Sequence, residues 1–437
     1  MSIVIRNTDL YDEHGMLQKE QSICIEGDSI ACITNDPQIV DAFVLRQKGK
    51  AEMIDGRGYL VMPGLVNAHT HSPMVLLRNI GSDLPLQQWL FREIIPRECQ
   101  LTPEEIYNGS LAAQIEMIRS GITGYCDMYE PFEALARAAE DGGMRVNLCS
   151  APLHNDWSGP VKRTYADIEK TENFIRTWNH AAAGRIRTYV ELHSVYLYDR
   201  DLLHFCVECA GRTQTGIHMH LHETVQEVTD CIRETGKRPI EFLQDLGAFD
   251  VPVIAAHCVE MTEHDIEILK ERGVCVAANM TSNLKLASGI APVPEFLNAG
   301  IPVALGTDGA ASNNNLNLFE EMHLAALIYK GVRRDPLLVS ARQAVKMATE
   351  YGARALGFGG RSGVLKEGML ADLIMVDMSA IHLQPVHDIN ACIVYAMQGA
   401  DVDTVIINGT TVMRRRTMTK LDEEKIKWGV EHVAFKR

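Results

Sequence analysis

No run in the 437-residue chain approaches the roughly 18 apolar residues that a helical membrane span requires. The opening stretch, MSIVIRNTDLYDEHG, lacks the charged-then-apolar pattern of a secretory signal. Without such a signal, the eleven cysteines read as reduced thiols of a cytoplasmic protein rather than as a disulfide framework. Cys206 and Cys209 form a CxxC, but no second CxxC completes a four-cysteine metal site. Their surroundings, RDLLHFCVECAGR, have helical character, so a packed helix face is expected. Positive charge is also scarce. The formal net charge is −15 and the pI about 5.5, which argues against the basic patches needed to bind nucleic acid or anionic membranes. No low-complexity tract or long linker divides the chain. What is present is a 46% hydrophobic content, enough for a large core, and a length that suits a barrel of about 250 residues with a smaller domain beside it.

From Pro63 to about Gly360, short apolar segments alternate with amphipathic ones. The predicted strands are Leu60–Ala68, Ile122–Met128, Arg145–Ser150, Thr188–His193, Gly216–His222, Val251–His257, Val274–Asn279 and Pro302–Asp308. Helices fill the intervals. One starts at Thr102, where Thr-Pro-Glu-Glu supplies an N-cap, a proline at the first helical position and Glu105 for a capping box, and Gly121 stops it. Another runs from Thr262 to Gly273. Eight such units predict an α/β fold of the (β/α)8 type, although a doubly wound sheet uses the same alternation. The flanks instead alternate apolar and polar residues with turns between, as in SIVIRNTDL and VDTVIINGTTVM. Residues 1–59 and 361–437 are therefore expected to pair into one composite β-domain, with a barrel of residues 60–360 inserted between them.

Chemistry-bearing residues collect at the strand ends. In PGLVNAHTHS, His69 and His71 stand two apart at the end of an apolar run, so both imidazoles project from one strand face. Two neutral imidazoles so placed can grip a divalent metal, although one such pair is a weak motif. The fourth strand ends at His193, and the fifth carries His218, His220 and His222 followed by Glu223. The sixth ends at His257 and the eighth at Asp308. In a barrel these ends share one rim, where active sites are built. Spacing alone does not choose among His218, His220 and His222.

The stretches PGLVNAHTHSPMVLLR, HLHETVQEV, AAHCV and LGTDGAASNN resemble the amidohydrolase superfamily, and within it the methylthioadenosine/S-adenosylhomocysteine deaminases. The resemblance runs almost the full chain and implies a TIM-like barrel with a small composite β-sandwich. It further implies His69, His71, His220 and Asp308 as metal ligands, with His257 holding the attacking water and Glu223 shuttling protons. Three histidines, a carboxylate and one position left for water suit a catalytic zinc, though iron(II) and manganese(II) accept the same donors. The fourth strand offers His193 and no lysine, so the carbamylated lysine that bridges two metals elsewhere has no counterpart there, which favours one metal. The implied reaction is hydrolytic deamination of a purine nucleoside at C6. Asp308 or His257 takes the proton of water and Glu223 protonates a ring nitrogen.

The segment SDLPLQQWLFREIIPRECQLT follows the first strand, where it can cover the rim. By resemblance Glu98 accepts hydrogen bonds from a ribose diol, Trp89 lines the pocket and His193 contacts the purine. One departure stands out. Some members carry an arginine just past the third strand, suited to a substrate carboxylate, where this chain has Ser150 and Ala151. Arg163 is a nearby substitute, and His154 and Trp157 could shape a pocket for another heterocycle. The expected substrates are thus adenosine, 5′-methylthioadenosine or 5′-deoxyadenosine, with a weaker case for S-adenosylhomocysteine. An aminohydrolase or dechlorinase of a pterin, guanine or triazine is the competing reading. A catalytically inactive assembly or regulatory relative would have lost ligands, and here all are present. No heptad or interface motif argues for a particular homo-oligomer.

Overall fold

The computed structural model describes residues 2–130, 132–151 and 168–433. Within them, eight parallel strands form a nearly closed barrel in chain order: Leu65–Thr70, Ile122–Asp127, Arg145–Ser150, Ile186–Leu192, Ile217–Leu221, Val253–His257, Cys275–Ala278 and Val303–Leu305. Seven of these are buried at every position, because helices cover one side of a parallel sheet and the barrel interior the other. That is why they read as unbroken apolar runs rather than alternating ones.

Side chains close the seam between the first and eighth strands. The Asn67 amide donates to Thr307 Oγ1 at 2.7 Å and accepts from the Thr307 backbone N–H at 2.9 Å. The Asp308 N–H then donates to the His69 carbonyl at 3.0 Å. Gly306 permits this approach, since a Cβ there would stand 2.3 Å from Asn279 Oδ1 and 2.9 Å from His69 Cβ.

The predicted strand Leu60–Ala68 is two strands. Tyr59–Pro63 pairs antiparallel with Leu373–Asp377 in the flanking sheet, and after Gly64 the chain enters the barrel as Leu65–Thr70. The apolar run does not change character at the break because both sheets are buried there. Gly64 lies so close to the second barrel strand that a Cβ would meet Thr123 at 2.2 Å.

The flank strands are hydrogen-bonded into one nine-stranded, mostly antiparallel sheet. Its middle is the pairing of Tyr59–Pro63 with Leu373–Asp377, which joins strands from both ends of the chain. Ile3, Ile5, Ile23, Ile25, Val61, Leu373 and Ile406 form a core on one of its faces. A buried ion pair locks the sheet to the barrel: Arg145, at the start of the third barrel strand, donates twice to Asp372 at 2.8 and 2.9 Å. Asp372 also accepts from Ser362 and from the Asn408 N–H.

The helix Pro103–Arg119 begins with the capping box of Thr102 and Glu105, and Glu263–Glu271 is capped by Thr262. Cys206 and Cys209 are fully buried on one face of the helix Arg200–Thr213, and no metal-ligating group among the described residues includes them. No helix among the described residues is long and apolar enough to cross a membrane.

Candidate active site

The C-terminal ends of the barrel strands bring His69, His71, His220, His257, Glu223 and Asp308 together. Several of these ends turn sharply. His222, His257 and Asp308 adopt φ of 54°, 72° and 59°, a left-handed conformation that non-glycine residues hold only where the surrounding fold imposes it. His71 Nε2 lies 3.3 Å from both Asp308 Oδ1 and His220 Nε2, and His69 Nε2 lies 3.5 Å from Asp308 Oδ1. His71 Nδ1 donates to the Met128 carbonyl, and His220 Nδ1 to the His193 carbonyl at 2.9 Å. Each backbone acceptor therefore holds a proton on Nδ1 and leaves Nε2 facing the cluster, that of His71 toward Asp308 and that of His220 toward His71.

These donors fit a divalent metal. The Nε2 of His69 is buried without a hydrogen-bond partner, and the ligating atoms of His69, His71 and Asp308 lie within 4.8 Å of one another, as do those of His69, His220 and His257. Bare nitrogens and a carboxylate crowded this closely repel unless a cation or a proton lies among them. Protons compete for the place. Burial drives His69 down to about 4; it also opposes charge on His71, but the Asp308 carboxylate overrides it and lifts His71 to about 9. Asp308 is held well below the carboxylate range, since the two imidazoles outweigh its burial.

The three histidines of the fifth strand separate by their partners. His220 faces the cluster. His222 turns outward, its Nδ1 3.0 Å from the Glu260 carbonyl and its Nε2 accepting the Ile240 N–H at 3.0 Å, so it anchors the helix Pro239–Asp245. His218 lies beneath His69. Glu223 is buried, accepts from Ser288 Oγ at 3.3 Å and stands 3.9 Å from His257 Nδ1. Burial pushes its carboxyl upward, with the His257 charge opposing. His257 Nδ1 lies 2.8 Å from Asn283 Oδ1 and 3.3 Å from Asn279 Nδ2, which fix the orientation of the ring.

Above this floor opens a cavity of about 300 Å³, within the range of small-molecule sites. His71, His220, His257, Glu223 and Asp308 line its base, and His193, Trp89 and Glu98 its walls. Trp89 and Glu98 come from a bent helical run, Leu86 to Glu98, whose wide turn at Trp89–Ile94 precedes Pro96. Ser150 and Ala151 are buried and do not line the cavity. Among the described residues, no arginine or lysine lines it; Arg163, His154 and Trp157 lie outside the described residues.

A model of the amidohydrolase family matches residues 60–412, which span all eight barrel strands and part of the flanking sheet. The chain belongs to the amidohydrolase family. This amidohydrolase is 51% identical over 382 residues to a 5-methylthioadenosine/S-adenosylhomocysteine deaminase of Acetivibrio thermocellus, covering 87% of this chain and 88% of that one. It is 43% identical over 394 residues to a 5′-deoxyadenosine deaminase of Methanosarcina mazei, covering 90% of each. Among solved structures, an adenosine deaminase of Xanthomonas campestris with bound zinc superposes with a TM-score of 0.90 at 31% identity, over 98% of this chain and 97% of that one.

The amidohydrolase also holds its site through residues that strand patterns do not reveal. Ser282 and Ser312 donate to Asp308 Oδ2 at 2.6 and 2.8 Å. Glu227, fully buried, accepts the backbone N–H groups of His222 and Glu223 at 3.0 and 2.7 Å and so fixes the turn that presents Glu223. Glu321 does the same for Met280 and Thr281, at the start of the helix Met280–Lys285 that carries Ser282 and Asn283. Burial pushes both glutamates up to about 7. The only advance signal was Glu227 inside HLHETVQEV, where it reads equally well as an ordinary first-turn helix residue.

Proposed function

We propose that this chain is a metal-dependent deaminase of adenosine-type nucleosides, converting them to the inosine analogue and ammonia. The observation that carries the reading is the convergence of His71, His220, Asp308, Glu223 and His257 at the base of one cavity, with Glu98 and Trp89 on its wall and the buried His69 against His71 and Asp308. The similar proteins named for methylthioadenosine, S-adenosylhomocysteine and 5′-deoxyadenosine support the nucleoside class. His69, His71, His220 and Asp308 hold one divalent ion. Zinc suits three nitrogens and a carboxylate best, and the similar Xanthomonas structure contains it.

When bound, the ion supplies a water acidic enough to react near neutral pH. His257, oriented by Asn283, and Asp308, oriented by Ser282 and Ser312, are placed to receive the proton as the water oxygen bonds to C6. Glu223 gives a proton to the ring nitrogen, so that charge does not accumulate on carbon. A second proton reaches the exocyclic nitrogen, the C6–N bond breaks, and ammonia leaves. His193 packs beside the purine and Glu98 receives the ribose hydroxyls, with Arg163 a candidate for the 5′ side. In this reading the barrel, which begins at Leu65 rather than at residue 60, carries the chemistry, and the composite of the two flanks, with Tyr59–Pro63 in its sheet, supports it. A cytoplasmic location accords with eleven cysteines that form no disulfide.

The test is ammonia release from adenosine, 5′-methylthioadenosine, 5′-deoxyadenosine, S-adenosylhomocysteine, guanine, a pterin and a triazine, with metal counted per chain. Nucleosides should lead and one metal should be found. Preference for a free base, pterin or triazine would overturn the substrate class, and two metals per active chain would overturn the site.

A further inference from the structure

His218 and Cys149 have no part in the reaction just described. Both are fully buried, and neither lines the cavity. His69 Nδ1 lies 2.9 Å from His218 Nε2, and His218 Nδ1 lies 3.2 Å from Cys149 Sγ. We infer that His218 is a positioning residue that fixes the tautomer of His69, with Cys149 supporting it from behind, so that two side chains below the floor help set the metal affinity of the site. The inference rests on the metal reading above.

The argument concerns one proton per ring. A neutral imidazole ligates through whichever nitrogen lacks a proton. His71 and His220 are committed to Nε2, because each Nδ1 faces a main-chain carbonyl, which can only accept. His69 has no such carbonyl. Its Nδ1 meets another histidine, which can donate or accept, so two arrangements fit the same geometry. In one, His69 Nδ1–H donates to His218 Nε2. The Nε2 of His69 is then bare and turned toward Asp308, 3.5 Å away. In the other, His218 Nε2–H donates to His69 Nδ1, the proton of His69 moves to Nε2, and that nitrogen cannot ligate.

The ligating arrangement puts the proton of His218 on Nδ1, pointing at Cys149. A buried N–H needs an acceptor, and the Cys149 sulfur is the partner in reach. Burial pushes the Cys149 thiol well above its ordinary range, so the sulfur is a neutral acceptor that adds no charge beneath the metal. The chain Cys149–His218–His69 thus replaces the carboxylate or carbonyl that commonly supports a metal-bound histidine. The third barrel strand supplies Cys149, the fifth His218 and the first His69, all as inward-facing residues below the rim.

The test measures metal binding without substrate, so it does not depend on which heterocycle is deaminated. Apo protein is titrated with zinc against a chromophoric chelator. His218→Phe fills the space but cannot accept a proton, and its zinc Kd should rise about 10–100-fold. His218→Gln offers a carbonyl oxygen to His69 Nδ1–H and should recover most of that loss. An unchanged Kd in His218→Phe, or equal losses in the Phe and Gln variants, would overturn the inference. If the His218 variants do not fold, Cys149→Val and Cys149→Ser decide it. The valine, with no acceptor, should weaken zinc binding several-fold, and the serine should stay near wild type. A Cys149→Val protein that binds zinc as wild type does would refute the relay. Failure of the wild-type chain to bind zinc would overturn the metal reading along with it.

Discussion

Removing the Glu98 carboxylate should abolish discrimination between nucleosides with and without a ribose diol. Glu98 lies on the cavity wall with Trp89 and Tyr129. The Tyr129 hydroxyl is kept neutral by its burial and then by the Glu98 charge, which together push it well above its ordinary range. A carboxylate receiving both hydroxyls of a cis-diol makes two charge-assisted hydrogen bonds, each contributing roughly 1.5–3 kcal/mol. The sum, about 3–6 kcal/mol, corresponds to about 10²–10⁴-fold at about 1.4 kcal/mol per decade. Glu98 is half-buried rather than sealed, so solvent screens part of this and the lower end applies. The wild type should therefore favour adenosine over 2′,3′-dideoxyadenosine by about 10²-fold in kcat/KM. Glu98→Ala should lower kcat/KM for adenosine by about the same factor and leave the dideoxy analogue nearly unchanged. Four rate constants from ammonia release close the cycle and isolate the pairwise interaction. If Glu98→Ala harms both substrates equally, the carboxylate supports the wall rather than the ribose, and the nucleoside assignment loses its contact.

Glu223→Gln should retain the metal yet lose about 10²–10⁴-fold in kcat, because an amide cannot take and return a proton; near-normal turnover in a metal-replete variant would remove Glu223 from the mechanism. Asp372→Ala should cost about 3–5 kcal/mol in urea unfolding at pH 7, since it strands the buried Arg145 guanidinium, and a cost below about 1 kcal/mol would show that the pair does not join the two sheets. Burial would raise Asp372, but Arg145 overrides it and holds the carboxyl below its usual range. The pair's stabilisation is therefore complete above the ordinary aspartate value of about 3.9 and fades as pH falls through the lower folded value, so the difference between Asp372→Ala and wild type should shrink only in acid.

The barrel was legible because a parallel strand covered on both faces must be apolar at nearly every position, and its helices announce themselves through caps such as Thr102 with Glu105. The rim was legible for a related reason. A histidine or aspartate closing an apolar run, as at His257 and Asp308, ends a buried strand with a polar group that needs a partner, and five such endings have one place to meet. The division of the first strand at Gly64 was not legible. Apolar character reports burial and not which sheet does the burying, so YLVMPGLVNA runs through the boundary without a change of pattern.

The roles of His218, His220 and His222 mark where periodicity stops and partners take over. All three are buried, all come from one strand or its end, and spacing treats them alike. Their functions diverge only through what each Nδ1 meets: the sulfur of Cys149, the carbonyl of His193 and the carbonyl of Glu260, supplied by three different parts of the chain. An acceptor behind a ring decides which nitrogen is bare in front of it. The same logic explains why Glu227 and Glu321 escaped notice, since their carboxylates serve backbone amides, which every residue possesses and no side-chain pattern records. Residues that touch the substrate are constrained in chemical type and can be found from sequence motifs. Residues that orient them are constrained by position, and become recognisable only once the strands have been assembled.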